Sequence, residues 1–182
     1  MAKVDFFWES MRDLKTVGTF TRSSGFLSKK MIKPVDFNKA KVLIELGAGD
    51  GAITKHILSK MSPDAKLFAF EVNEAFCRKL ESLNDPRLVV LQEDVTNLKD
   101  IMKRYGHDKV DYIISAIPFV AFSKEDTIHI VNQAKDLLAS TGKYIQVHYS
   151  TVLKKIYKGI FATVDLNFVL VNMPPAWVFV CH

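Results

Sequence analysis

Apolar and polar positions fall into two regimes along this chain. From residue 41 onward, strand-like runs at Lys41–Leu46, Lys66–Glu71, Leu88–Leu91, Val110–Ser115 and Lys143–His148 alternate with helix-like segments. The helices are expected over about Gly51–Lys60, Glu74–Leu83, Leu98–Tyr105 and Ser123–Leu138. Short apolar runs alternating with amphipathic helices predict a parallel sheet covered on both faces. Gly142 stands where the last helix would turn into the fifth strand. The alternation then stops. Lys158–Val171 and Trp177–Cys181 are two apolar runs separated by Asn172-Met-Pro-Pro-Ala176, a pattern that suits an antiparallel pair at the sheet edge.

The first forty residues differ. Phe6, Phe7, Met11, Leu14 and Val17 recur at helical spacing, with Glu9, Arg12, Asp13 and Lys15 on the rest of the circumference. Thr21-Arg-Ser-Ser-Gly25 interrupts that pattern, and Phe26–Lys33 predicts a second short helix that Pro34 ends. The expected organisation is an amphipathic helical segment over 1–40 followed by one α/β domain over 41–182.

Composition narrows the class. A chain of 182 residues with 48% hydrophobic content can bury a sizeable core in one domain. No run approaches eighteen consecutive apolar residues, and the N-terminus carries Lys3, Asp5 and Glu9 where a signal peptide would be continuously apolar. Cys77 and Cys181 form no C-x-x-C pair, which argues against a zinc site or disulfide scaffold and for a reducing, cytoplasmic setting. No metal is expected. The net charge of +5 is concentrated at one end: residues 1–41 hold nine Lys or Arg against four acids, and the remainder balances. Such a segment is either a solvated flank or an approach to an anionic partner, nucleic acid or lipid.

The chemistry centres on Val42-Leu-Ile-Glu-Leu-Gly-Ala-Gly-Asp-Gly51. An apolar strand ends at Leu46, alternate glycines let the backbone turn and approach a ligand, and the next helix points its unpaired N–H groups at that ligand. The nicotinamide fingerprint would carry its third glycine one position later. With Glu45 ahead of Gly47, Gly49 and Gly51, the segment resembles motif I of class I S-adenosylmethionine (SAM) methyltransferases. Glu71 ends the second strand 20 positions after Gly51, where nucleotide-binding α/β folds place a ribose-binding acid. The resemblance implies a Rossmann-like fold with a seven-stranded, mostly parallel sheet and an antiparallel last strand. It implies SAM as cofactor and S-adenosylhomocysteine as product, held by Glu45, Gly47, Ala48, Gly49, Gly51, Glu71, Val72, Asp94, Val95 and Ser115. Asp94 would accept the adenine amino group, with Glu93 a rival for that role.

The loop after the fourth strand, Ser115-Ala-Ile-Pro-Phe119, should face the methyl acceptor. Adenine N6-methyltransferases place Asn or Asp before a Pro-aromatic pair here, and Ser lacks the reach of that amide. With this loop included, the chain resembles the bacterial phospholipid N-methyltransferases. The resemblance rests on the amphipathic start from Phe6 to Gly18, Ser23-Ser24, Ala116-Ile-Pro118, Gln146-Val-His-Tyr149 and Asn172-Met-Pro-Pro-Ala176. Arg22 stands where that family often has Pro.

The implied reaction is N-methylation of a phosphatidylethanolamine-type headgroup amine at the cytoplasmic membrane face. Tyr149, Ser115 and Pro118 would serve the chemistry. Trp8, Arg22, Ser23, Ser24, Lys29, Lys30 and Phe119 would meet an anionic or zwitterionic phospholipid, with aromatic faces for a methylated ammonium. His148 alternates to the other face of its strand and is read as a polar strand-end residue. An RNA adenine methyltransferase and a non-catalytic SAM-binding protein are the other readings. The sequence sets no oligomeric state.

Overall fold

The computed structural model describes residues 20–182 apart from Met173, with side chains from residue 25. Trp8 and the helix expected over residues 6–17 therefore lie outside the described residues, and Arg22, Ser23 and Ser24 are described as backbone alone. Seven strands, β1 (Val42–Leu46), β2 (Lys66–Phe70), β3 (Leu88–Leu91), β4 (Val110–Ser115), β5 (Leu138–His148), β6 (Val164–Val169) and β7 (Ala176–Cys181), form one sheet in the order β3-β2-β1-β4-β5-β7-β6. β1 to β5 pair in parallel, and β7 inserts antiparallel between β5 and β6. The expected fold class, with its single antiparallel last strand, is the observed one.

Among the described residues six α-helices cover the sheet: α1 (Phe20–Ile32), α2 (Ala52–Leu58), α3 (Glu74–Glu81), α4 (Leu98–Arg104), α5 (Lys124–Leu137) and α6 (Lys154–Ile160). Alternate strand residues point to opposite faces, so each buried strand feeds two cores. Ile44, Leu46, Ile113 and Tyr144 pack with Leu98, Met102, Ile130, Val131 and Tyr157 of α4, α5 and α6. Leu43, Ile114, Ile145 and Val147 pack with Met31, Ile32 and Ile57 of α1 and α2 on the other face. Met31, Ile32, Val35 and Ala40 are thus core residues, continuous with the domain expected to begin at 41.

Three local expectations are corrected. Helix α1 runs unbroken through Ser23-Ser24-Gly25. At Gly25 a Cβ would lie 4.0 Å from His56 Nε2, so the missing side chain suits the close pairing of α1 with α2. Gly142 lies inside β5, which starts already at Leu138. The pairing of β5 with β4 slips between Val110↔Leu138 and Tyr112↔Lys143, and a Cβ on Gly142 would sit 2.9 Å from the Asp111 carbonyl oxygen. That close backbone approach, and no helix-to-strand turn, demands glycine there. The run Lys158–Val171 begins as the end of α6 and becomes strand only from Val164.

Candidate active site

At the C-terminal edge of the sheet, where β1, β2, β3, β4 and β5 end, the five loops that follow them open on one side, as open α/β sheets arrange a ligand crevice. The first follows β1. Gly47, Gly49 and Gly51 all take positive φ, at 74°, 56° and 83°. A Cβ on Gly47 would stand 3.3 Å from Ile117 Cγ1, and one on Gly51 3.2 Å from Leu80 Cδ2. Glycine is therefore required by both conformation and space. Ala48 is buried between the turns.

Two acids brace this loop. Glu71, just past β2 and buried, accepts the Gly49 N–H through Oε2 at 2.7 Å and the Asn73 N–H through Oε1 at 2.8 Å. A carboxylate has roughly four lone-pair positions, so both oxygens keep acceptor capacity toward a diol. Glu45 is wholly buried beneath the loop, where its Oε2 accepts the Thr54 hydroxyl of α2 at 2.7 Å and Oε1 has no partner among the described residues. Burial pushes its pKa up to about 8, against the Thr54 hydrogen bonds that favour the anion. Glu45 thus braces the loop from beneath, through Thr54 of α2.

Asp94 follows β3 and caps the 3₁₀ turn Val95–Asn97, its Oδ1 accepting the Thr96 N–H at 2.7 Å. The side chain is exposed. Its rival Glu93 pairs with Arg104 at 2.7 Å on the surface. Val95 is buried beneath it, whereas Val72 is 50% exposed beside Glu71. An apolar side chain left open among acids fits the face of a purine, and the cramped positive-φ glycines fit close backbone approach to a ligand. These residues fit SAM.

The acceptor side is built by β4 and β5. Ser115 is fully buried at the end of β4, beside Gln146 in register, with Oγ 3.4 Å from the Ile117 N–H and in hydrogen-bond contact with Tyr144. Gln146 donates through Nε2 to the Ile117 carbonyl at 3.0 Å and to the Val147 carbonyl at 2.8 Å. Its Oε1 accepts the Tyr144 hydroxyl at 2.7 Å. Gln146 thereby clamps the peptide that precedes Pro118. Tyr144, Gln146 and His148 share one face of β5, because strand side chains alternate. On that face His148 Nε2 lies 2.9 Å from the Tyr157 hydroxyl of α6, and Tyr144 stacks on Tyr157 with ring centroids 6.0 Å apart.

His148 is buried and its pKa is lowered to about 4 by desolvation, so the imidazole is neutral. It is a packed core group, where a polar strand-end residue was expected. The quartet Tyr144, Gln146, His148 and Tyr157 was not singled out in the sequence as a unit. The period-2 spacing of its three β5 members was the available signal.

Phe119, expected to face the acceptor, turns inward at 1% exposure and packs on Phe122 and His148, at 5.6 and 6.4 Å between centroids. The short 3₁₀ turn Phe119–Ala121 reverses the chain there, so Val120 takes the open position. Tyr149 stays exposed at the end of β5. Desolvation raises its phenol, an effect the nearby Asn172 side chain opposes, and Asn172 Nδ2 is itself anchored on the Pro174 carbonyl at 2.6 Å. The Gln-x-x-Tyr and Asn-x-Pro-Pro segments thus meet. Lys29 and Lys30 sit in the last turn of α1, Lys29 exposed and Lys30 Nζ 5.6 Å from the Phe26 ring centre. Among the described residues no three His, Cys, Asp or Glu gather to hold a metal ion. None of the described helices is long and apolar enough to cross a membrane.

The family model of the methyltransferase small domain matches residues 18–167. An ornithine lipid N-methyltransferase of Singulisphaera acidiphila is 30% identical over 169 residues, covering 91% of this chain and 88% of the relative. A ribosomal RNA small subunit methyltransferase A of Mycoplasma mycoides subsp. mycoides is 29% identical over 101 residues, covering 54% of this chain and 36% of the relative. Among solved structures, a SAM-dependent methyltransferase from Aquifex aeolicus superposes with a TM-score of 0.64 at 13% identity, over 85% of this chain and 88% of that one.

Proposed function

The chain belongs to the methyltransferase small-domain family and is a SAM-dependent methyltransferase, and on that premise we propose that it N-methylates the headgroup amine of an aminolipid. Phosphatidylethanolamine is the type substrate. The observation that carries this reading is the near full-length similarity to a lipid N-methyltransferase, which spans the acceptor-side segments as well as the cofactor half. The similarity to ribosomal RNA methyltransferase A reaches about half the chain and about a third of that relative.

Bound SAM supplies an electrophilic methyl group to an uncharged amine. Glu71 and Asp94 would hold the nucleoside, with Val72 and Val95 along the base and the glycine loop at the methionyl end. On the acceptor side the work is alignment and removal of water, since displacement at a sulfonium methyl asks for an in-line approach and a desolvated nucleophile. The Tyr149 phenol would take a hydrogen bond from a headgroup amine, while the Ile117 carbonyl, which already accepts from Gln146 Nε2 and the Phe119 N–H, would fix the shape of the Pro118 loop beside it. His148 is neutral but buried, and the Tyr149 phenol, raised by desolvation, keeps its own proton, so the amine's proton leaves to water.

Purified protein given radiolabelled SAM and, separately, phosphatidylethanolamine vesicles or ribosomal RNA should label lipid. Label on RNA alone would replace this reading with the RNA adenine one, and ornithine lipid labelled in preference to phosphatidylethanolamine would redefine the headgroup.

A further inference from the structure

Four aliphatic side chains stand nearly bare along one edge of the sheet: Val120 at 64%, Val152 at 77%, Leu170 at 70% and Val171 at 68% exposure. They come from three separate loops, after β4, after β5, and between β6 and β7. β4 and β5 are parallel, and β6 runs in the same direction because both β5 and β6 pair antiparallel with β7, so all three loops open at one end. His148, Trp177 and Phe168 share one row of the register. That row places the β6–β7 turn about two strand spacings, roughly 10 Å, from the end of β5. Phe168, half exposed, lies against Trp177 with centroids 4.7 Å apart and extends the apolar side of this turn.

Basic residues flank these tips. Lys155 and Lys158 are exposed and Lys154 partly so on α6, which starts two residues after Val152, and Lys124 is exposed beyond Val120. The acids nearby are Glu125 and Asp126 in the first turn of α5, and Asp126 is bonded to Ser123 Oγ at 2.7 Å.

We propose that this edge enters the headgroup layer of a bilayer containing anionic phospholipid. Val120, Val152, Leu170 and Val171 would reach the acyl boundary while Lys154, Lys155 and Lys158 meet lipid phosphates. Isolated aliphatic tips ringed by lysine suit a fluid interface, which fills around each tip, better than a protein partner, which needs a continuous complementary patch. The same edge carries Tyr149 and the Pro118 loop, so seating it on a membrane presents the crevice to headgroups, whereas a capping protein would close it. The surface binds by its own chemistry; its purpose rests on the aminolipid reading.

The full-length chain should co-sediment with phosphatidylcholine–phosphatidylglycerol vesicles and less with pure phosphatidylcholine. The combined variant Val152→Asp, Leu170→Asp, Val171→Asp should lose at least about tenfold in vesicle binding, with SAM affinity and melting temperature unchanged. If that variant melts early, Leu170→Ser with Val171→Ser serves in its place. Lys154→Ala with Lys155→Ala should erase the preference for phosphatidylglycerol. Vesicle binding by the Asp variant equal to the parent, or no binding by the parent, overturns the proposal. Methylation of detergent-dispersed phosphatidylethanolamine separates the two claims. A parent that binds vesicles through this edge but methylates no lipid leaves the docking surface standing and removes the acceptor. A variant that methylates bilayer lipid like the parent does the reverse.

Discussion

Glu71 Oε2 accepts the backbone N–H of Gly49 at 2.7 Å, although 22 residues separate them. The acid at the tip of β2 therefore shapes the loop that follows β1, and the carboxylate that builds the cradle is the one proposed to hold the ligand. Glu71→Ala removes two charge-assisted hydrogen bonds to backbone, each worth about 1.5–3 kcal/mol. SAM affinity should fall at least about tenfold by calorimetry, with a lower melting temperature. Glu71→Gln keeps one acceptor oxygen and should fall between.

The two perturbed buried groups make opposite demands on pH. Glu45 carries a pKa near 8 in the folded protein against 4.5 ordinarily, so between these values the folded chain binds more protons and stability falls as pH rises. His148 carries a pKa near 4 against 6.5, so over that range the unfolded chain binds more protons and stability grows with pH. The two slopes oppose one another up to about pH 6.5; from there to about pH 8 Glu45 dominates, and the raised Cys77 and Cys181 thiols add to the slope only at higher pH. Denaturant unfolding should show stability declining from about pH 6.5 to 8, by at most about 1.4 kcal/mol per pH unit. Glu45→Gln should flatten that decline. A parent profile flat across this window would show that Glu45 titrates normally.

Two substitutions separate the structural task of Asp94 from the adenine-binding task proposed for it. Asp94→Ala loses the cap on Thr96 and should cost about 1 kcal/mol of stability. Asp94→Asn can keep that cap but would turn its amide N–H toward an adenine amino group. It should unfold like the parent and bind SAM several-fold more weakly. Parental affinity in Asp94→Asn would take Asp94 out of the adenine role.

Gln146→Leu should separate binding from turnover. It removes one buried hydrogen bond each from the Tyr144 hydroxyl and the Ile117 carbonyl, each worth about 0.5–1.5 kcal/mol. The Pro118 loop loses its clamp while the glycine loop is untouched. Turnover of aminolipid should fall more than tenfold with SAM affinity changed less than threefold, differences of about 1.4 and 0.7 kcal/mol. An equal loss in both would assign Gln146 to general stability alone.

Local regularities made the cofactor half legible. The alternation of apolar runs and amphipathic helices, the glycine spacing from Gly47 to Gly51, and the interval to Glu71 are near-neighbour patterns that do not depend on distant contacts. The acceptor half was legible only as segments. That Phe119 points inward and Val120 outward depends on a short 3₁₀ turn. That Gln146 grips the Ile117 carbonyl depends on β4 and β5 lying side by side.

The chain by itself thus determined the class of fold and the position of the glycine loop with the acids beside it, because periodicity and glycine spacing are written in consecutive residues. Only tertiary structure decided that Gly142 is needed for a close approach to Asp111, that His148 and Tyr157 are partners, and that four aliphatic tips share one edge with Tyr149. Those relationships arise when strands distant in sequence are set about 4.8 Å apart by backbone hydrogen bonds, and no local pattern encodes which strands those will be.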